Sequence, residues 1–481
     1  MVFLILPAAA DIPGPHDLPD PDTTPPDSTK PVKVYILSGQ SNMMGVGYVT
    51  DPDPGSLSTV TTDGLFPHML DAAGAWTVRN DVWYEGRISA TAKKWLTVGC
   101  GNGSDKIGPE LQFGHIMGYY HDEPVILLKV SIGNRALGWD ILPPGSVQYD
   151  SDDGYTYPGY GGSPERWLIG TDPVPIEWYA GKTYDRYVAE AKGVLDNFDT
   201  KFPQWAAQGY EIAGFAWWQG HRDGGMKGHA DRYELNMVNL IKAWRAEFGA
   251  PNAPFVIATI GFGGWTMSGN QLTVANAQLA VSGETGNYPE FEGNVKTVES
   301  RDYWREVAES PGNQGYHYNN NAWTYMMVGD ALGRAMAEIL TPYSVNAGDD
   351  MITWSGQAID LEATIQDGVT VTSYAWSADP AAGVLFSDPA IEDPTVTITK
   401  ATDNPSTVTV TLTVNDGVNP PVPDSIRIDV YDDACKATIG EGLAADNPTD
   451  LNGDCVTGLE DLAVMALAWL NDNGLAAPVL K

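Results

Sequence analysis

The sequence predicts an α/β domain with a parallel sheet, followed by an all-β domain and a short acidic segment. Between residues 32 and 342, apolar runs of strand length alternate with amphipathic helical stretches. From residue 343 to residue 432 the pattern changes to period-two alternation. A chain of 481 residues is long enough for two or three domains, and residues 433–481 form the last part.

The chain begins with features of an exported protein. Residues 1–10 form an apolar stretch that ends in small residues, as the last part of a secretory signal peptide does. Residues 11–31 are rich in Pro and Asp, which predicts a linker. A disulfide between Cys435 and Cys455 would suit an oxidising compartment and leave Cys100 as a buried thiol. We therefore expect a secreted, periplasmic or cell-surface protein.

The charge balance excludes some partners. The chain carries 62 acidic against 27 basic residues, a net charge of -35, which repels nucleic-acid phosphates and anionic membrane surfaces. It contains no uninterrupted run of the roughly 20 apolar residues that a membrane span needs. We expect neither a nucleic-acid partner nor a membrane span.

The pattern of the α/β region predicts where its functional site lies. The strand-like runs are VKVYIL, PVILLKVS, IAGFAWW and PFVIATIG, and the helical stretches include GPELQFGHIMGYY, YDRYVAEAKGVLDNF, DRYELNMVNLIKAWRAEFG, QLTVANAQLAV and NAWTYMMVGDALGRAMAEIL. Such alternation indicates a parallel sheet covered on both faces. Ligands bind beyond the carboxyl ends of such strands, where the loops SGQSNMMG, IGNRALGW and QGHRDGG follow.

Ser41 is the candidate nucleophile of this edge. It follows a buried strand in a loop of small residues, where a sharp turn can present its hydroxyl. A serine after a strand is also a common helix N-cap. Position alone therefore leaves both roles open.

The motif around Ser41 resembles a known family. VYILSGQSNMMG is similar to the nucleophile block of SGNH-type hydrolases in the sialate O-acetylesterase and family 6 carbohydrate esterase group, in which GQSNM carries the catalytic serine. The resemblance continues through GPE at residues 108–110, IGNRALGW, WWQGHRDG and YHYN, over roughly residues 32–340. It implies a three-layer α/β/α domain of flavodoxin-like type and ester hydrolysis without a cofactor.

The resemblance also implies roles for single residues. Ser41 would be the nucleophile and His317 its general base. The oxyanion hole would consist of the Ser41 amide, the Gly133 amide and the Gln219 side chain. Apart from the resemblance, we expect substrate contacts from Gln40, Asn134, Arg135 and His221. His221 stands where many family members carry Glu, and it could bind substrate or replace an acidic contact.

The acid that supports His317 is the departure from the family pattern. The family has Asp three residues before the histidine, and this chain has Gln314 there. Gln314 could hold the ring as a hydrogen-bond acceptor, or a carboxylate could come from Asp223, Glu299 or Asp302. Of these carboxylates we favour Asp223, because it shares a strand-end loop with Gln219.

The remaining parts resemble accessory modules. SYAWSADP and TLTVNDG are similar to PKD and Ig-like sandwiches of secreted carbohydrate enzymes. Four oxygen-bearing residues occupy positions 1, 3, 5 and 12 of a calcium-loop pattern and resemble a dockerin repeat, although Cys455 replaces the usual Gly at position 6: Asp450, Asn452, Asp454 and Asp461. A calcium ion and a cohesin-like or cell-surface partner are the corresponding expectations.

These observations predict a secreted carbohydrate O-acetylesterase that acts on an acetylated polysaccharide or glycan. The alternative is a non-catalytic carbohydrate-binding protein on the same fold, because Gln314 and His221 depart from the family pattern. A third hypothesis is a scaffold component in which the C-terminal modules dominate.

Overall fold

The computed structural model describes residues 14–21, 25–341, 343–366, 369–400, 405–416, 421–440, 442, 449–452 and 455–468. The chain divides into two compact units after residue 342. The expected signal peptide, residues 1–10, lies outside the described residues. Part of the expected linker packs onto the first unit, because Leu18 joins its apolar core and the His16 ring lies 4.8 Å from that of Phe66.

The elements of the first unit alternate as the sequence predicts. Its strands are β1 (Val32–Gly39), β2 (Gly47–Tyr48), β3 (Arg79–Ile88), β4 (Lys93–Leu96), β5 (Lys106–Ile107), β6 (Val125–Ser131), β7 (Tyr149–Asp150), β8 (Tyr155–Tyr157), β9 (Trp167–Leu168), β10 (Tyr210–Trp218), β11 (Phe255–Ala258) and β12 (Val295–Val298). Its helices are α1 (Ser41–Met44), α2 (Leu57–Thr62), α3 (Glu110–Tyr120), α4 (Lys182–Leu195), α5 (Phe198–Lys201), α6 (Lys227–Glu247), α7 (Gly269–Ala280) and α8 (Ala322–Leu340).

A seven-stranded sheet forms the centre of this unit, in the order β12-β11-β10-β1-β6-β3-β4. Every neighbouring pair is parallel except β3 and β4. The central strands β1 and β6 are buried along almost their whole length because helices cover both faces of the sheet. Ser41, Gly133 and Gln219 each follow the carboxyl end of one of these strands, so all three lie at the same edge.

Two adjacent tryptophans show that the helices form two layers. The Trp217 ring lies 6.4 Å from that of Trp244 on α6, and the Trp218 ring lies 5.4 Å from that of Tyr325 on α8. Successive side chains of a strand point to opposite faces of a sheet. Therefore α6 and α8 cover opposite faces, which makes the unit a three-layer α/β/α domain.

The second unit contains β-strands around its own apolar core. They are β13 (Val345–Asn346), β14 (Met351–Trp354), β15 (Ala358–Asp360), β16 (Thr364–Ile365), β17 (Ser373–Asp379), β18 (Val384–Phe386), β19 (Thr395–Ile398), β20 (Ser406–Asn415) and β21 (Val422–Tyr431). They form sheets in the orders β14-β21-β20-β17, β15-β19-β18 and β13-β16. The period-two pattern of residues 343–432 also predicts a small antiparallel sandwich. This expectation needs one correction, because β14 pairs with β21 in parallel along the sheet edge.

The C-terminal segment carries α9 (Ala434–Gly440) and α10 (Leu459–Ala468), and Cys435 is bonded to Cys455. In the expected calcium loop, the Asp450 carboxylate accepts a 2.7 Å hydrogen bond from the Cys455 amide. Both carboxylate oxygens of Asp461 accept backbone N–H groups, from Leu451, Asn452 and Gly458. Asp454 lies outside the described residues.

Two further predictions from the sequence concern the burial of Cys100 and membrane-spanning helices. Cys100 is a free, fully buried cysteine, and burial raises the pKa of its thiol to about 12. Within the described parts of the chain, no helix is long and apolar enough to cross a membrane.

A buried ion pair lies directly behind the Ser41 loop. The Lys129 ammonium on β6 lies 2.5 Å from the Glu110 carboxylate at the start of α3, and both side chains have no exposed surface. The same ammonium donates to the carbonyl of Met44, at the end of α1, over 3.2 Å. Burial lowers the pKa of Lys129, and the adjacent Glu110 carboxylate opposes this effect. The pair fixes α1 to the sheet.

We expect Lys129→Met to lower the free energy of unfolding by about 3–5 kcal/mol, because it leaves the Glu110 charge buried without its partner. Urea denaturation of the full chain measures this change. Lys192→Met, at the half-exposed pair with Glu247, is the control and should have little effect. The double variant Lys129→Met/Glu110→Met should recover most of the stability. Equal free energies of unfolding for Lys129→Met and Lys192→Met would contradict the prediction.

Candidate active site

Ser41 stands at the first position of α1, directly after β1. Its strand ends at Gly39, where a Cβ would lie only 2.1 Å from the carbonyl oxygen of Trp218, so a glycine is needed for the two strands to approach. The first N–H groups of a helix have no partner within the helix, and Ser41 contributes one of them. The Ser41 side chain therefore lies beside a backbone donor of its own.

Gly133 lies next to Ser41 across the edge of the sheet. A Cβ at Gly133 would be 3.7 Å from the Ser41 Cβ. Tyr187 of α4 fixes this neighbourhood, because its hydroxyl donates to the Gly39 carbonyl at 2.9 Å and accepts from the Ile132 amide at 2.8 Å. Within residues 25–341 the Gly133 amide has no hydrogen-bond acceptor. It is thus available to an oxyanion formed at Ser41.

The segment that carries His317 is bound to the residue after Ser41. Asn42 Nδ2 donates to the Tyr316 carbonyl at 3.2 Å, and its Oδ1 accepts from the Tyr325 hydroxyl at 2.8 Å. That hydroxyl also lies 3.3 Å from the His317 carbonyl oxygen. A further bond joins Asn320 Nδ2 to the Val46 carbonyl at 2.9 Å. These contacts bring the backbone of the candidate base to the loop of the candidate nucleophile.

His317 has Gln314 as the acceptor for its ring. Its Nδ1 lies 2.9 Å from Gln314 Oε1, which leaves Nε2 as the nitrogen that can accept a proton. The candidate carboxylates have other partners. Glu299 binds the guanidinium of Arg301, and Asp302 accepts from the indole of Trp265. Of the arrangements that the sequence left open, the structure contains the one with Gln314.

Asp223 lies elsewhere than we expected. Its buried carboxylate accepts the amides of Leu137 and Gly138 at 2.9 and 2.7 Å, and Gln219 Nε2 at 2.5 Å. It does not contact His317. Burial raises its pKa to about 6. Asp223 therefore connects the IGNRALGW loop to the QGHRDGG loop, and sequence position in a strand-end loop could not distinguish this from a catalytic contact.

The Gln219 side chain is held by the protein on all sides. Besides Asp223, its Nε2 lies 2.8 Å from the Arg135 carbonyl oxygen and 3.2 Å from Gln40 Oε1. Its Oε1 accepts from the Tyr233 hydroxyl at 2.9 Å. To donate to an oxyanion, Gln219 would have to release one of these acceptors. The Ser41 and Gly133 amides need no such exchange.

The expected substrate contacts are distributed around this centre. Gln40 is buried under Gln219, whereas Asn134 is exposed on a left-handed backbone turn with φ 56°. The half-buried Arg135 has its Nε 3.8 Å from Asp140 and its guanidinium carbon 5.2 Å from the Trp178 ring centre. The His221 ring lies 5.7 Å from that of Tyr316.

Three consecutive asparagines support the site, and the sequence reading did not identify them. Tyr318, Asn319 and Asn320 all have positive φ, between 50° and 58°. Asn tolerates this conformation better than most residues. The next asparagine, Asn321, caps α8 by accepting from the Thr324 amide. The run of three Asn that begins two residues after His317 was the signal available in the sequence.

Burial and one neighbouring histidine lower the pKa of His317. Loss of hydration lowers its pKa to about 4, and the nearby His221 contributes in the same direction when charged. A protonated imidazole cannot accept a proton, so we expect His317 to be able to act as a base until the pH falls through this low pKa.

We expect kcat/KM for a small aryl acetate to remain level from neutral pH into the acid range and to fall with an apparent pKa of about 4. His221→Asn should move this acid limb to higher pH, because it removes a positive charge near the ring. Steady-state rates over the acid and neutral range, with circular dichroism to confirm folding, measure both. An acid limb near 6.5 in the unmodified protein would contradict the assignment.

We also expect Gln314→Ala to lower kcat by on the order of tenfold or more, because the ring loses the acceptor that orients it. Gln314→Glu should restore the orientation and raise the apparent pKa of His317 through its negative charge. Asn313→Ala, at the exposed neighbouring position, is the matched control. Equal rates for Gln314→Ala and Asn313→Ala would show that Gln314 does not orient the base.

Several known proteins are similar to parts of this chain. Among solved structures, a protein of Arabidopsis thaliana is 17% identical over 64% of this chain and 98% of its own, with a TM-score of 0.39. A carbohydrate acetylesterase from Xanthomonas citri is 13% identical over 83% of this chain and 79% of its own, with a TM-score of 0.38. A PKD domain is 25% identical over 19% of this chain and 87% of its own, with a TM-score of 0.17. No curated protein matches.

A family model matches most of the first unit. The model described as carbohydrate esterase, sialic acid-specific acetylesterase, matches residues 31–152 and 161–337, which is more than half of the chain. The matched residues include Ser41, Gly133, Gln219 and His317. The chain therefore belongs to the carbohydrate esterase family of sialic acid-specific acetylesterases.

Proposed function

We propose that this chain is a secreted carbohydrate O-acetylesterase that uses Ser41 as its nucleophile and His317 as its general base. The observation that supports it most is the hydrogen bonding of Asn42, next to Ser41, to the backbone of Tyr316 and, through Tyr325, to that of His317. Nucleophilic catalysis by serine needs a base on a fixed partner segment. Family membership supports the ester chemistry.

In this mechanism, Ser41 Oγ attacks the acetyl carbonyl carbon while His317 Nε2 takes the hydroxyl proton. The carbonyl π electrons move to the oxygen, where the Ser41 and Gly133 amides stabilise the negative charge. When the tetrahedral intermediate collapses, His317 returns the proton to the departing sugar oxygen. Water then attacks the acetyl-serine by the same route and releases acetate.

Gln314 gives this mechanism a neutral support for the base. Its oxygen accepts from Nδ1 and keeps the proton there, so Nε2 faces the reaction with its lone pair. Without a negative charge beside it, the imidazolium intermediate receives less stabilisation than in a Ser-His-Asp triad. We propose that Gln40, Asn134, Arg135 and His221 contact the glycan around the acetylated hydroxyl.

The second unit supports a further part of the proposal. The strands of residues 345–431 suit a PKD or Ig-like module, and the C-terminal segment suits a calcium-dependent contact with a cohesin-like or cell-surface partner. Asp450, Asn452 and Asp461 would supply oxygen ligands, although Asp461 would have to exchange its backbone N–H donors for the cation. Secretion is proposed from the apolar start of the sequence and the Cys435–Cys455 disulfide.

A non-catalytic carbohydrate-binding protein is the second candidate. The neutral Gln314 beside His317 favours it, because the ring nitrogen Nδ1 has an amide oxygen and not a carboxylate as its partner among the residues that the structure describes. Such a protein would bind acetylated glycans and release no acetate from any of them.

We expect Ser41→Ala and His317→Ala each to lower acetate release by at least about a thousandfold without unfolding the chain. Acetylated xylan, a 9-O-acetylated sialoside and a small aryl acetate are the substrates. Ser38→Ala is the matched control, because this serine lies in the same motif and its buried Oγ has no hydrogen-bond partner among the described residues. Acetate release that persists in Ser41→Ala would overturn the assignment of Ser41 as the nucleophile. If the unmodified protein releases no acetate from any of the substrates, the non-catalytic binding protein is favoured.

A further inference from the structure

Trp265 is an exposed indole at the edge of the sheet that carries the site. It lies in a short 3-10 turn, Gly264–Thr266, that follows β11, and 64% of its surface is exposed. Burying a tryptophan against other apolar groups stabilises a fold, so a protein gains little stability from leaving one in water. Most of the Trp265 surface is therefore available for contact with a ligand.

The ring of Trp265 is fixed in place although it is exposed. The Arg301 guanidinium carbon lies 4.2 Å from the ring centre, and the indole Nε1 donates to Asp302 at 2.6 Å. Arg301 is itself held by both carboxylate oxygens of Glu299, at 2.9 and 2.6 Å. One face of the indole is therefore covered by a cation, and the exposed area belongs to the rest of the ring.

This indole is structurally connected to the candidate site. In the same loop, the Phe262 ring lies 5.3 Å from that of His221. Trp304 joins the loop to the His317 segment, because its Cβ would lie 3.4 Å from a Cβ at Gly264 and its ring 3.6 Å from one at Gly315. Two strand spacings separate β11 from β1, or about 10 Å. The loops that follow these two parallel strands lie at the same edge of the sheet, where one extended glycan chain can contact both.

Resting on the proposed function, we infer that Trp265 is a stacking platform for a sugar ring of the same glycan chain that presents its acetyl group to Ser41. Apolar C–H faces of pyranose rings pack on aromatic faces, and tyrosine and tryptophan supply such contact area at low entropic cost. A ring already held by Arg301 and Asp302 loses little freedom on binding. The substrate class is therefore an acetylated oligo- or polysaccharide rather than a single acetylated sugar.

Charge favours an uncharged chain as this substrate. The arginines of the two site loops face carboxylates of the protein, Arg135 near Asp140 at 3.8 Å and Arg222 near Glu165 at 3.2 Å. The net charge of -35 adds a repulsive field for a sugar that carries its own carboxylate. A neutral polysaccharide encounters neither obstacle.

The test compares Trp265→Ala with the unmodified full chain on three substrates. We expect kcat/KM for acetylated xylotetraose or mannotetraose to fall about tenfold, and that for a small aryl acetate and an acetylated methyl xyloside to stay unchanged. Trp265→Phe should retain most of the tetrasaccharide activity. Tyr210→Ala is the matched control, because this aromatic is 37% exposed at the start of β10, at the opposite edge of the sheet.

If Trp265→Ala lowers kcat/KM equally for all substrates, or for none of them, the inference is wrong. It is also wrong if the unmodified enzyme has the same kcat/KM for the tetrasaccharides as for the acetylated methyl xyloside. If the unmodified protein does not hydrolyse even the aryl acetate, the proposed function fails. The role of Trp265 as a stacking platform is then tested by measuring glycan binding. Calorimetry with the same tetrasaccharides would then show about tenfold weaker binding by Trp265→Ala if the inference holds, and equal binding if it does not.

Discussion

The placement of His317 depends on a strained stretch of backbone that only its surroundings can maintain. Tyr318, Asn319 and Asn320 are left-handed one after another, and such residues cost of the order of 1–3 kcal/mol each. Amide side chains and one phenol offset that cost. Asn319 donates to the Arg305 carbonyl at 3.0 Å, Asn320 donates to that of Val46 at 2.9 Å, and the Tyr318 hydroxyl accepts the Gly261 amide at 2.8 Å. Because these partners lie on other loops of the same sheet edge, the position of the base depends on the whole edge and not on its own segment.

The chemistry around the base follows from the same arrangement. Binding the His317 segment to the Ser41 loop removes water from the imidazole, which lowers its pKa and makes it a weaker base. In many serine hydrolases a carboxylate offsets this loss, but Gln314 supplies only an oriented dipole. In the proposed mechanism, transition-state stabilisation would therefore come more from the Ser41 and Gly133 amides. Hydrogen bonds hold the backbone around both: Lys129 binds the end of α1, and Tyr187 connects the ends of β1 and β6. The low pKa of His317 also means that the imidazole stays neutral well into the acid range.

Much of the fold followed from the sequence because burial on both faces of a parallel sheet leaves continuous apolar runs, and each of the four runs that we identified corresponds to a strand of the sheet. The strands β3, β4 and β12 were missed, because polar and charged residues interrupt their runs: Arg79, Asp81, Glu85, Lys93 and Lys296. The candidate site residues were predicted because the motif around Ser41 resembles that of a known family. Contacts across the fold, such as Asp223 with Leu137 and Gly138, depend on loop geometry, and no local pattern encodes them.

The acidity of the chain acquires a specific meaning when it is considered together with the site. Long-range repulsion disfavours anionic ligands, while sugars without charge are recognised by hydrogen bonds and by aromatic faces. The site edge offers both kinds of contact, in the exposed amide of Asn134 and the exposed indole of Trp265. Carboxylates line the same edge, including Asp302 and Glu306, which accept hydrogen bonds from Trp265 and Trp304 and so orient these rings. The negative groups thus position the apolar surfaces, and a neutral acetylated chain is the ligand to which both properties are suited.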